Sequence, residues 1–306
     1  MHKYLIIFLV LMGCTLWGQK DQAGLYAVRN KNLPYEYWTY FPKNYTGQEG
    51  QNFPLLIYLH GRSIQGTDLN KVKKYGVIYE LERKLELDFI VIAPQCQKGW
   101  ENDKLIQILD YAEAHYAVDR KKVYLCGMSM GGYGAWHLAG YAPDRFAAVA
   151  PIAGGGRLKD AEGMKNLPHF IVHGKKDKPV PVEESRKMVK ALKAAGNTEV
   201  NYIEEKNWGH SEAVRVFSWP KLYEWFLKYE RPIKDEPILA QEDPLKEEPQ
   251  TPAIKDSQPD AEEYIVFEED KPKETIRPKP QPKTPKKKKN KWWKFWKWKF
   301  WSTIFG

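Results

Sequence analysis

Between about Tyr35 and Tyr229 the chain alternates short, almost unbroken apolar runs with stretches whose apolar residues recur at helical spacing. "FPLLIYLHG", "DFIVIAPQ", "KKVYLCG", "FAAVAPIAGG" and "HFIVHGKKD" have strand length. A strand with one wet face would carry polar residues at every second position, so runs like these belong to strands covered on both sides. "YEYWTYF" and "EVNYIEE" also have strand composition. Between the runs, "KLIQILDYAEAHY" (104–116) and "GYGAWHLAGYA" predict helices, as does the closing "WPKLYEWFLKY". "PVEESRKMVKALKAAG" places acids in its first turns and glycine at its end, which suits a helix dipole and its C-terminal cap. Strand, crossover helix and strand in succession predict an α/β fold, a mostly parallel central sheet with helices on both faces. Residues 24–230, roughly 200 of the chain, are expected to form this one domain.

One joint between a strand and a helix is unusual. In "LCGMSMGGYGAW" (125–136) four glycines surround a single serine. Gly127-Met128-Ser129-Met130-Gly131 satisfies G-x-S-x-G, the turn that holds a serine in a strained backbone conformation with its Oγ above the sheet edge. The glycines two residues before and after relieve the crowding that such a turn creates. A serine hydroxyl is a weak nucleophile at neutral pH; it needs a base, and the base needs a carboxylate to fix its tautomer and stabilise its charged form.

Asp177, in "HGKKDKPVP", directly follows a predicted strand, and His210, in "NWGHSEAV", lies in the loop after the last one. Both are strand-end loops, where parallel sheets build their sites. Catalytic roles are therefore expected for Ser129, Asp177 and His210. Taken singly, Asp177 reads better as a loop cap and His210 as a surface histidine; it is the three residues in order on the right loops that point to catalysis. An oxyanion hole is expected from the backbone N–H of Met130 and that of Arg62 or Ser63, in the loop after "LLIYLHG". His60 and His173 read as loop-shaping or structural residues, His115 and His137 as helix packing residues. Trp100 and Trp208 read either as substrate contacts or as core aromatics. No Cys/His spacing suits a metal, and no cofactor is expected.

"YLHGRSIQGTDL", "VDRKKVYLCGMSMGGYGAWHLAGYAPDRFAAVAPIAGGG", "VHGKKDKPVPVEESRKMVKALKAAG" and "GHSEAVRVFSWPKLYEWFL" together resemble the α/β-hydrolase superfamily. They are most similar to exported bacterial esterases of the phospholipase/carboxylesterase, polyhydroxybutyrate-depolymerase and feruloyl-esterase-like group. The resemblance spans residues ~25–230 and implies that Ser129, Asp177 and His210 form a triad, in the chain order usual for that fold. It also implies that the "LLIYLHG" strand lies between those ending near Cys96 and Cys126. Two strand spacings, about 10 Å, would then separate these thiols, too far for a disulfide. The chain departs from many relatives in reading "HGRS" where they carry more glycine, and no long lid-like insertion interrupts its core.

The termini differ from this body. Residues 1–18, "MHKYLIIFLVLMGCTLWG", have a basic start, an apolar stretch and small residues near the end, as a secretory signal does. "LMGC" also suits a lipoprotein cleavage site with acylation at Cys14, so both ordinary cleavage and a lipid anchor stay open. Residues 231–285 are expected to be a disordered linker, since 231–281 interleave nine prolines with charged residues. Nine of the 48 Lys and Arg residues lie within 283–299, a stretch free of acids, and the remainder match the 39 acidic residues. The net charge of +9 is therefore a property of the tail, 286–306. "KKKKNKWWKFWKWKFW" (286–301) has the composition of a segment that settles on an anionic membrane surface. It also suits stacking on single-stranded nucleic acid or binding acidic glycans, of which nucleic acid is the less expected partner for an exported chain. The expected function is that of an exported serine carboxylesterase acting on acylated polysaccharide or small esters. The alternatives are a serine peptidase on the same fold and a non-catalytic surface-binding protein acting through the tail.

Overall fold

A computed structural model describes residues 23–48, 50–83 and 85–233. The proposed leader (1–18), most of the linker, the tail and Cys14 lie outside them.

Eight strands form one sheet: β1 (Gly24–Val28), β2 (Tyr37–Phe41), β3 (Phe53–Leu59), β4 (Ile90–Pro94), β5 (Val118–Met128), β6 (Ala148–Ile152), β7 (His169–Gly174) and β8 (Val200–Glu205). Their spatial order is β1-β2-β4-β3-β5-β6-β7-β8. β2 runs antiparallel to both β1 and β4, and every pairing from β4 to β8 is parallel. The helices are α1 (Val77–Glu82), α2 (Asn102–His115), α3 (Met130–Tyr141), α4 (Glu183–Ala194) and α5 (Pro220–Phe226).

The unbroken apolar runs work as expected for doubly covered strands. Along β3, Leu55, Ile57 and Leu59 enter one core while Leu56 and Tyr58 enter the other. β5 splits in the same way, Val123 and Leu125 against Tyr124 and Cys126. The first core is closed by α2, α3 and α4 through residues such as Leu105, Leu138 and Leu192. The second is closed by α1, α5 and the 3₁₀ segment Ser211–Ser218 through Val77, Phe226 and Phe217. Each fully buried Leu, Ile or Phe contributes about 1.5–3 kcal/mol, so both layers anchor the sheet firmly.

β3 lies between β4 and β5, the order implied by the resemblance, and Cys96 and Cys126 are buried free thiols. Three features escape sequence reasoning. β1 is a half-buried edge strand too short to show a period. The β3–β4 connection holds two 3₁₀ segments, Arg62–Ile64 and Leu69–Lys74, and then α1, all too short for helical periodicity to register. Arg231, expected to open the linker, is instead fastened to the body. Its amide donates to Lys121 O at 2.9 Å, and its guanidinium reaches Arg120 O, Asp144 O and Glu113.

Candidate active site

The strained turn is present. Ser129 sits between β5 and α3 with φ 60° and ψ −121°, a conformation normally left to glycine. Its amide donates to Ile152 O at 3.0 Å, and its carbonyl accepts from Tyr133 N at 2.9 Å, so the neighbouring strand and the first turn of α3 hold it there. A Cβ on Gly131 would lie 1.9 Å from Leu59 O, and one on Gly127 would lie 2.3 Å from Gly131 O. These two residues are glycine because α3 starts in backbone contact with the end of β3.

Ser129 Oγ lies 2.8 Å from His210 Nε2, and His210 Nδ1 lies 2.7 Å from Asp177 Oδ2. Residues 48 and 33 positions apart in the chain thus form one hydrogen-bonded line. Asp177 turns out of β7, its amide donating to Gly174 O, while its Oδ1 accepts from Val180 N at 2.9 Å. A Cβ on Gly174 would fall 2.5 Å from Trp208 O. That bare position lets the 208–210 loop close onto the end of β7 and brings His210 to the carboxylate. The Asp177 side chain is fully buried, whereas 23% of the His210 side chain remains exposed, so the imidazole is open to solvent while its carboxylate partner is not. Burial alone would raise the Asp177 carboxyl. The hydrogen bonds from His173, His210 and Val180 outweigh it and leave the group below its ordinary value, hence charged.

The loop after β3 adjoins the serine: a Cβ on Gly61 would lie 3.4 Å from Ser129 Cβ and 2.8 Å from Tyr75 Oη. Met130 opens α3 and Arg62 opens the 62–64 segment, positions whose amides have no acceptor within their own helix. The side chain of Ser63, the other candidate donor, has its Oγ 2.9 Å from Tyr75 Oη. His60 shapes the loop. Its Nδ1 lies 2.8 Å from Gly61 O and its Nε2 accepts from Cys96 N at 3.2 Å. Burial pushes this imidazole down to about 4, so it is neutral and holds its tautomer.

Trp100 donates from Nε1 to His60 O at 3.2 Å, and its ring packs on His60 and Tyr35. Trp208 is partly buried, 5.5 Å from the Trp219 ring. His137 lies within α3 and is half-buried, while His115 is exposed and stacked on Tyr111. Among the described residues no three His, Cys, Asp or Glu are gathered as metal ligands.

Sequence reasoning missed Tyr75 and Tyr133. Tyr75 follows Ser63 by twelve residues across irregular backbone, with no signal of the contact. Tyr133 had one: it follows the nucleophile turn directly, and its ring lies over Gly155, where a Cβ would meet Tyr133 Cε1 at 3.2 Å.

The Esterase family model matches residues 32–219, a span from before β2 to the end of the 3₁₀ segment after His210. The chain belongs to the Esterase family. It is 26% identical over 171 residues to a bifunctional acetylxylan esterase/xylanase of Neocallimastix patriciarum, a match covering 51% of this chain and 25% of that protein. With "Probable feruloyl esterase C" of Aspergillus terreus it shares 23% identity over 188 residues, 59% of this chain and 69% of the relative. The chain thus spans only a quarter of the first of these relatives. Among solved structures, a thermostable esterase has a TM-score of 0.57 at 27% identity, over 68% of this chain and 63% of that one. A feruloyl esterase module from Clostridium thermocellum, solved as its S954A mutant with sinapinate, gives 0.53 at 13% identity, over 71% and 91%, and shares the fold. This esterase-family body is an α/β-hydrolase fold.

Proposed function

We propose that the chain hydrolyses carboxylic esters through an acyl-enzyme on Ser129. The observation that carries this reading is the continuous line from Ser129 Oγ through His210 to buried Asp177. His210 Nε2 takes the hydroxyl proton as Oγ bonds to the ester carbon, and the carbonyl electron pair moves onto oxygen. The N–H group of Met130 and that of Arg62 or Ser63 hold that oxyanion, a contribution of about 2.7–4 kcal/mol per donor. His210 then returns the proton to the departing alkoxide, and water repeats the sequence to release the acid. Asp177 keeps the imidazole in the tautomer that presents a bare Nε2 to the serine.

Acylated polysaccharide is the substrate class we favour, supported by the acetylxylan and feruloyl esterase names of the relatives. Trp100 and Trp208, the second of which precedes His210 by two residues in the chain and packs on Trp219, are proposed to contact the substrate. Export is proposed from residues 1–18, with Cys14 as a lipid anchor if the lipoprotein site is used, and membrane-surface association from 286–301.

Ser129→Ala should lower the hydrolysis of a short-chain chromogenic ester by about 10⁴-fold or more with the circular dichroism spectrum unchanged. Equal activity in variant and parent would overturn the proposal. A panel of acetylated, feruloylated and aliphatic esters resolves the acyl preference. Truncation at residue 282 tests the tail, where unchanged binding to anionic vesicles would refute the membrane role.

A further inference from the structure

Tyr133 and Glu184 meet over Gly155 and take no part in the steps above. A Cβ on Gly155 would lie 2.8 Å from Glu184 Cβ, 3.0 Å from Glu184 Oε2 and 3.2 Å from Tyr133 Cε1. Ring edge and carboxylate thus close on one bare stretch of backbone just beyond β6. Tyr133 stands one turn after Ser129 on α3, its amide donating to Ser129 O at 2.9 Å. Residues four apart share a helix face and their side chains lean towards the helix N-terminus, which carries the half-buried Tyr133 ring back towards the nucleophile. Burial, joined by the nearby Glu184 and Asp177 carboxylates, drives its phenol up to about 12, so it stays neutral and can both donate and accept. Among the described residues its hydroxyl has no hydrogen-bond partner. Glu184 is held by Lys187 through Oε1 at 3.2 Å, which leaves Oε2, the oxygen over Gly155, without a partner among the described residues.

These groups lie on a particular side of Ser129. The sheet runs β3-β5-β6-β7-β8, so the loop after β3 and the His210 loop after β8 flank the nucleophile from opposite sides. Gly155 follows β6 and Glu184 lies in the first turn of α4 after β7, both on the His210 side. Of the groups on the tetrahedral carbon, the leaving oxygen is the one that takes its proton from the histidine, so the alcohol half of an ester extends to this side. We propose that Tyr133 and Glu184 form the subsite for the departing alcohol and that the alcohol they fit is a sugar with neighbouring hydroxyls, a statement that rests on reading Ser129 as the nucleophile. A phenol donates and accepts, whereas a carboxylate oxygen only accepts. Two neighbouring sugar hydroxyls answer both, one facing Tyr133 Oη and the other donating to Glu184 Oε2. The Tyr133 ring adds a flat apolar surface beside its polar tip. An alkyl alcohol in the same place would strip water from Glu184 Oε2 and return no hydrogen bond, which is what makes the pair selective.

The test uses the full chain and two esters that deliver the same acetyl group, ethyl acetate and a methyl xyloside acetylated so that two neighbouring hydroxyls stay free. The quantity read is the ratio of kcat/KM for the sugar ester to that for ethyl acetate. It should fall about 10-fold or more in Glu184→Gln, which keeps the shape and removes the charge, and about 5-fold in Tyr133→Phe, which removes the hydroxyl alone. A merely structural role slows both esters alike. An unmoved ratio in either variant therefore overturns the subsite, as does a parent with the higher kcat/KM on ethyl acetate. A parent inactive on both esters sinks the proposed function instead. The subsite is then judged by saturation-transfer NMR with methyl xyloside, where binding that is lost in Glu184→Gln upholds it, and no binding, or binding that survives the substitution, overturns it.

Discussion

At an ordinary position glycine is less stabilising than alanine by about 0.4–1 kcal/mol, because its unfolded chain has more freedom to lose. Residue 129 should reverse that order. With φ 60° and ψ −121°, Ser129 occupies a region where a Cβ costs on the order of 1–3 kcal/mol. Ser129→Ala and Ser129→Gly both lose the hydroxyl and its 2.8 Å contact with His210, so comparing the two cancels that loss. What remains is the strain relieved by glycine less its extra unfolded-state entropy, a net advantage to glycine of about 1 kcal/mol. In a domain of this size that amounts to roughly 2–4 °C in Tm. Urea unfolding of the two inactive variants, read by tryptophan fluorescence, measures the difference directly. An alanine variant equal to or more stable than the glycine variant would refute the claim that the serine is held under strain.

Gly131→Ala would place its Cβ 1.9 Å from Leu59 O, and should lose about 1–3 kcal/mol of stability and about 100-fold in kcat as α3 is pushed from β3. Gly163→Ala, whose Cβ would stand 3.6 Å from its nearest neighbour, is the benign control, and equal behaviour of the two would contradict the close-approach account. Burial holds His60 down to about 4 and His169 down to about 3, so the unfolded chain binds more protons than the native one below pH 6.5. Stability should be complete above pH 6.5 and fall towards pH 4, by on the order of 3 kcal/mol for His60 alone. His169→Phe should flatten the acid slope, and an unchanged slope by urea titration counts against it. Asp177→Asn should cost about 10⁴-fold in kcat by presenting an N–H to His210 Nδ1. Because the native Asp177 carboxyl lies below its unfolded value of 3.8, its stabilisation holds above that pH and is lost as pH falls through the native value. The Asn variant should lack that part of the acid transition.

Local features of the chain were enough to reveal the doubly covered strands β3 to β7, the helices α2, α3 and α4, and the glycine-flanked turn at Ser129. Each rests on a period, an apolar run or a backbone constraint carried by neighbouring residues. Asp177 and His210 were legible as residues on strand-end loops, because a parallel sheet presents those loops along one edge. Their distances to Ser129 were not, since they depend on Gly174 admitting the 208–210 loop and on β6 to β8 following β5 in space. β1, α1, Tyr75 and the bonds of His173 belong to tertiary structure alone. Edge pairing, short irregular segments and buried hydrogen bonds leave no repeating mark in sequence, because the partners that complete them arrive from elsewhere in the chain.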